Sequence, residues 1–237
     1  MPFAETPLRD EYAAAVERVA GRTLDALRGA GGAAALADPD TAVPRPLLAA
    51  VRVLGADLFT PQLLAGAEPD GPTAALLAEA RRAFPAPAPT SAEAALVVAW
   101  QDWAADRLLA RTPYGDPAPA SPPAPPPGPD DLGWQSWSVR MAQLSVLALP
   151  GLDGPVHDAA RAGTAQLAHG TVRSMLRRDF TTAVRLARWL AWASTEGLPL
   201  RLEVEPVLDR THLVGIGAVR TRLELAVAQR LLEGSPA

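Results

Sequence analysis

The chain reads as an all-α, multi-helix bundle, and three features of its 237 residues point there. Ala and Leu dominate an apolar share of 49%, while aromatics reach 5% and Ile216 is the single isoleucine. Ala and Leu favour helix, and the β-branched and aromatic residues that fill large sheets are scarce. Apolar residues also recur at helical spacing along most of the chain. Finally, from Ala183 to Ala193 only Arg185 and Arg188 are not apolar, so a helix there needs cover on nearly every side. That stretch, Asp179 to Glu196, is the expected centre of the bundle. Asp179 is its expected cap, and Gly197 followed by Pro199 its stop.

Composition narrows the function classes. There is no Lys, Asn or Cys, and all 22 basic residues are Arg. Residues with AT-rich codons are missing together, which points to a high-G+C genome of the actinobacterial type. Abundant Arg is then a coding bias and poor support for nucleic-acid binding, the more so at a net charge of −4. Without Cys, disulfides, thiolate metal sites and cysteine nucleophiles are excluded. Met1 to Glu11 lacks the apolar core of a signal peptide, and no apolar run approaches the ~20 residues of a membrane span. A cytoplasmic protein without membrane contact is the expectation.

Thr6-Pro7 is expected to open a long amphipathic first helix with Leu8, Tyr12, Ala15/Val16, Val19, Thr23 and Leu27 at helical spacing, until Gly29, Gly31 and Gly32 break it. Residues 30 to 45 read as a loop with room for one turn at Ala33 to Leu36. Pro46 opens a second helix through Leu58, Thr60-Pro61 a short one ending near Gly66, and Pro72 another running to Phe84. Pro85, Pro87 and Pro89 force an extended connection. Thr90-Ser91-Ala92-Glu93 matches a capping box and opens a helix with Leu96, Trp100, Trp103 and Leu108. From Pro113 to Pro129, nine of seventeen residues are proline. Such a tract lacks the donors for helix or sheet and is expected to be extended or disordered, a spacer or surface loop in preference to a polyproline ligand for an aromatic-lined groove. It divides an N-terminal helical region (1–112) from a C-terminal one (130–237).

Asp130 or Asp131 is expected to cap a helix bearing Leu132, Trp137, Met141 and Leu144, stopped by Pro150-Gly151. Gly154-Pro155 starts another, running to about Arg178. Its stripe of Val156, Ala160, Gly163, Leu167, Gly170 and Ser174 is mostly small, which suggests close approach of a neighbouring backbone, expected to be the 179–196 helix. From Leu198 to Pro206, Leu200, Leu202 and Val204 alternate with Arg201, Glu203 and Glu205. This predicts a short extended or β segment near 199–205. Its mate could be a second copy, with Arg201 facing Glu203, or Leu213 to Val219, or it could be a plain loop. A last helix spans about Ile216 to Glu233.

All six tryptophans fall in pairs spaced by three: Trp100/Trp103, Trp134/Trp137 and Trp189/Trp192. Core filling is the plainest reading of them. Arg185 and Arg188 precede Trp189 and Trp192 by four residues, so each guanidinium can cover an indole while reaching outward. Arg185, Arg188, Trp189 and Trp192 are therefore the candidate ligand or partner site. Residues 155–190 carry six Arg against Asp158 and Asp179, which makes Arg173, Arg177 and Arg178 the nucleic-acid alternative. His157, His169 and His212 form no metal signature, and there is no phosphate loop or nucleophile elbow. No metal, cofactor or catalytic residue is assigned. The function expected is a non-catalytic regulatory or adaptor protein working through helical surfaces on a protein partner, itself a homodimer. The alternatives are a nucleic-acid-binding regulator and a small-molecule binder or helical enzyme with a Trp/Arg-lined pocket.

Overall fold

A computed structural model describes residues 5–29, 43–86, 88–118, 120–215 and 217–234, and among them no strand forms. In chain order the helices are α1 (Glu5–Leu27), α2 (Arg45–Leu54), α3 (Thr60–Leu64), α4 (Gly71–Ala83), α5 (Ala92–Leu109) and α6 (Pro129–Leu132). They continue as α7 (Trp134–Gln143), α8 (Pro155–Ala162), α9 (Thr164–Leu176), α10 (Phe180–Thr195), α11 (Glu205–Val214) and α12 (Val219–Glu233). Two 3-10 turns, Gly55–Phe59 and Ser145–Leu147, complete the set.

α10 is the helix the others wrap. It packs against α7, α8, α9, α11, α12 and the second 3-10 turn, and every residue from Ala183 through Ala193 is buried except Arg185. The Asp179 side chain accepts the Thr182 N–H at 3.1 Å, as its cap role requires. At the other end Gly197 N–H donates to Ser194 O at 2.9 Å and Leu198 N–H to Ala193 O at 3.1 Å. Gly197 sits at φ +72°, the left-handed residue such an ending needs.

α1 lies against α2 and α12, and α2 against α4. Glu17 of α1 accepts the Val219 N–H at 2.9 Å, so one helix caps the start of another 202 residues away. Ala15, Leu54 and Trp100 from before the proline tract share one core cluster with Met141, Trp189 and Val227 from after it. Up to Gly128 the tract has no helix or strand over the described residues, its last residue Pro129 opens α6, and it lies against that core: Trp100 Nε1 donates to Ala124 O at 3.2 Å, and Pro126 is buried.

Several boundaries differ from expectation. The expected helix from 155 to 178 breaks at Gly163, where the Trp137 ring occupies the space a side chain would need. The close neighbours of Gly163 and Gly170 are accordingly Trp137 and Ser138 of α7 together with Leu186, rather than the α10 backbone. Gly133, at φ +72°, separates the short α6 from α7. Ser91 and not Thr90 is the cap of α5, accepting the Ala94 N–H at 3.1 Å, so Glu93 is one position early for a capping box and pairs with Arg140 instead. α1 already begins at Glu5, and α2 ends at Leu54 because Gly55 turns the chain at φ +54°.

The expected extended or β segment near 199–205 is not a strand. A lone strand would leave its backbone groups unpaired, and α11 begins at Glu205, with Pro206 in its first turn and Val207, Leu208 and Thr211 buried at helical spacing. Leu198, Leu200 and Leu202 pack against the core from a loop. Residues 45–64 are long and apolar enough to cross a membrane by length and composition alone, contrary to the expectation that no run comes near. The stretch is α2, a 3-10 turn carrying Asp57, and α3 in succession, and more than half of its most apolar part is buried. Gly31, Gly32, the turn at Ala33 to Leu36, Pro87 and Ile216 lie outside the described residues.

Candidate functional site

Arg188 carries the unexpected geometry. Its place in α10 turns it toward the two 3-10 turns and α12, and its side chain is 0% exposed. Nη1 donates to Asp57 Oδ1 and to Glu224 Oε2, each at 2.8 Å. Nε donates to Ala148 O at 3.3 Å and Nη2 to Val146 O at 3.5 Å. The first 3-10 turn points Asp57 inward, and the second exposes the carbonyls that the guanidinium uses. The expectation that Arg188 reaches outward is therefore wrong, because two buried acids and two carbonyls supply inside what water would supply outside.

Glu224 also accepts from Ser145 Oγ at 3.0 Å and lies 3.5 Å from Arg185 Nε. Burial alone would raise its carboxyl, but the charges of Arg188 and Arg185 outweigh that and hold it below its ordinary value. Asp57 goes the other way: burial lifts it above its ordinary value, Arg188 opposes, and the Glu224 charge adds to the lift. Its Oδ2 is buried without a hydrogen-bond partner. Arg188 is held firmly charged, since the two acids overcome the cost of burial.

Over this cluster opens a cleft of about 450 Å³ between α5, the second 3-10 turn, α10 and α12. Glu224 and Ser145 form part of its floor, Val97 and Val98 an apolar wall, and Arg185 and Arg220 its cationic side. Arg220 Nε is buried and has no hydrogen-bond partner. A smaller recess shares Gln101, Val146 and Arg220 with the cleft and adds Arg52. The Arg52 guanidinium is committed to Asp102 at 2.9 Å and to Phe84 O at 3.1 Å. The cleft thus has Glu224 in its floor, held by Arg188 and Arg185, Glu93 on its edge paired with Arg140, and an Arg220 Nε without a hydrogen-bond partner.

The structure separates the expected site residues. Arg185 lines the cleft, Arg188 lies beneath it, and Trp189 and Trp192 are core. Trp189 Nε1 donates to Met141 O at 2.8 Å, and the two indoles stand edge-on to His157 at 5.5 and 5.2 Å. The cation over Trp192 is Arg161 at 5.1 Å, not Arg188, because Arg188 is turned to its acids. Of the nucleic-acid candidates, Arg173 lies over Trp134 at 5.6 Å and shares a shallow depression with Arg177. Arg178 is exposed in the turn between α9 and α10. Among the described residues no group of three metal-ligating side chains comes together.

Asp57, Arg220 and Glu224 escaped the sequence reading. A signal existed for two of them: Asp57 stands alone among apolar Ala56, Leu58 and Phe59, and Glu224 between Leu223 and Leu225. A single charge in a helical stretch that otherwise wants burial asks for a counter-charge, and Arg188 is the same pattern. Arg220 carries no such mark. Comparison of the chain with protein-family models, curated proteins and solved structures finds no match.

Proposed function

We propose that this protein is a non-catalytic helical binding module that takes a small organic anion into the cleft between α5, α10 and α12. The observation that carries the reading is Arg220: its charge acts on Asp57 and Glu224, but its buried Nε has no hydrogen-bond partner, and its side chain lines the cleft together with Arg185. A carboxylate or phosphate would supply the missing acceptor, and guanidinium groups bind such planar or tetrahedral anions in forked pairs. The volume of about 450 Å³ suits a small metabolite, with Val97 and Val98 available to its carbon skeleton. Catalysis finds less support, because Glu224 and Asp57 are committed to Arg188 and Glu93 to Arg140, which leaves no free general base among these acids. Arg173, Arg177 and Arg178 offer a nucleic acid no comparable site, since Arg173 already stacks on Trp134.

The test is calorimetric titration with acetate, benzoate, succinate, citrate and inorganic phosphate, on the wild type and on Arg220→Met. Saturable binding of at least one of these anions that is lost in Arg220→Met is the expected result. Binding that is equal in both proteins, or no binding of any of the five, overturns the reading.

A further inference from the structure

A second face of the molecule is built for contact, and it lies away from the cleft. Four of the eight large apolar side chains exposed among the described residues stand here, Val172 and Leu176 on α9 and Leu213 and Val214 on α11; Leu176 is 81% exposed and Leu213 78%. Val172 and Leu176 are four residues apart, so they form one ridge along α9. Beside that ridge runs an open groove of about 720 Å³, with Leu202 and Val207 in it and Pro206 and Arg210 on its α11 wall. Leu213 continues that wall, since 206, 210 and 213 fall on one side of a helix. Monomeric proteins rarely leave such apolar residues grouped and uncovered.

We propose that this face joins two copies of the chain about a two-fold axis, with the α9 ridge of each entering the groove of the other. The charges around the groove allow that occupant, since Arg201 of each copy can meet Glu203 of the other. Arg201 and Arg210 on its rim are opposed by Glu203, so the rim carries both signs. A two-fold axis sets such a rim against itself, and cations of one copy can meet the acid of the other. A partner of one charge sign would place like charges together somewhere along the rim. The ridge beside the groove adds a knob next to its own hole, the form an isologous contact requires.

Sedimentation equilibrium of the full chain, carried to hundreds of micromolar, reads the outcome. The wild type is expected at twice the 24.8 kDa chain mass. Leu176→Glu is expected as a monomer with an unchanged circular dichroism spectrum, because the side chain is exposed and its loss leaves the core intact. Glu203→Arg should weaken association at least about tenfold, and the paired exchange Arg201→Glu with Glu203→Arg should restore it by keeping the rim self-complementary. A wild type that stays monomeric at the highest concentration overturns the proposal and leaves the face to another partner. A dimer indifferent to both Leu176→Glu and Glu203→Arg overturns it equally. Anion binding in the cleft is read separately, so either proposal can fail alone.

Discussion

Arg188 and Glu224 are joined by a 2.8 Å hydrogen bond in which the side chains are 0% and 3% exposed, and the same nitrogen holds Asp57. One guanidinium thereby ties α10 to α12 and to the turn that follows α2. Such a cluster is costly to form, since all three groups leave water; its strength lies in what happens when one is removed.

Arg188→Met takes away the guanidinium between Asp57 and Glu224, leaving Asp57 without its hydrogen-bond donor and Glu224 with Ser145 and Arg185. The expected loss is about 3–5 kcal/mol, the range for orphaning a buried ion-pair partner. Adding Asp57→Asn and Glu224→Gln removes the orphaned charges and should recover the larger part of it. Urea midpoints of the single and triple variants check this. Equal losses in the two would show that the contribution of Arg188 is packing and not charge.

His157 makes stability fall in mild acid. Its Nε2 lies 2.9 Å from Leu147 O and must donate there, so Nδ1 is the unprotonated nitrogen, buried with no partner. Burial lowers the imidazole below its ordinary value of 6.5; the Leu147 bond and Asp153 oppose this, and Arg161 assists it. With the folded value depressed, the stabilisation is complete above the unfolded value and is lost as pH falls through the folded one. His157→Phe deletes the titrating group and keeps a ring between Trp189 and Trp192. Its melting temperature should start lower, for want of the Leu147 bond, and drop less than the wild type between about pH 7 and pH 5. Parallel slopes for the two proteins would refute the assignment.

How far the sequence speaks follows from which interactions are local. The run from Ala183 to Ala193 demanded cover on every side, and Asp179 and Gly197 are end signals that act within one turn, so α10 was legible from its own residues. The inward turn of Arg188 was not, because its acids lie 131 and 36 residues away. The same distance hides Arg220 and the cleft, which exist only once α5, α10 and α12 meet. α11 was missed for a different reason. The alternation from Leu200 to Glu205 imitates a half-buried strand, while the competing signal, a proline one residue after Glu205, is a single helix-start cue.

Gly163→Ala should destabilise the fold although Ala restricts the unfolded chain more than Gly does and Gly163, at φ −102°, needs no glycine for its backbone. The added methyl would overlap the Trp137 ring, which is fully buried and has no free direction to move. An unfolded-state gain of at most ~1 kcal/mol then meets an overpacking cost of about 1–3 kcal/mol. In a Trp137→Phe background the smaller ring gives the methyl room, so the effect of Gly163→Ala should shrink or reverse. Thermal melts of the four proteins in this cycle read the coupling directly. Additive changes would mean that the ring and the glycine do not share the space.

Arg178→Gly should do the opposite and stabilise. Arg178 sits at φ 60° in the turn between α9 and α10, the one described non-glycine residue with positive φ. Its N–H donates to Met175 O at 3.0 Å, and the next N–H, of Asp179, to Ser174 O at 2.9 Å. That is the helix ending in which glycine is ordinarily found, and a side chain there costs about 1–2 kcal/mol in backbone strain. Glycine removes the strain and gives back some of the gain through a looser unfolded chain, for a net of about 0.5–1 kcal/mol. The side chain is exposed, so little packing is lost with it. A lower melting temperature for Arg178→Gly would mean that the guanidinium makes contacts worth more than the strain, and would return attention to this turn as a binding surface.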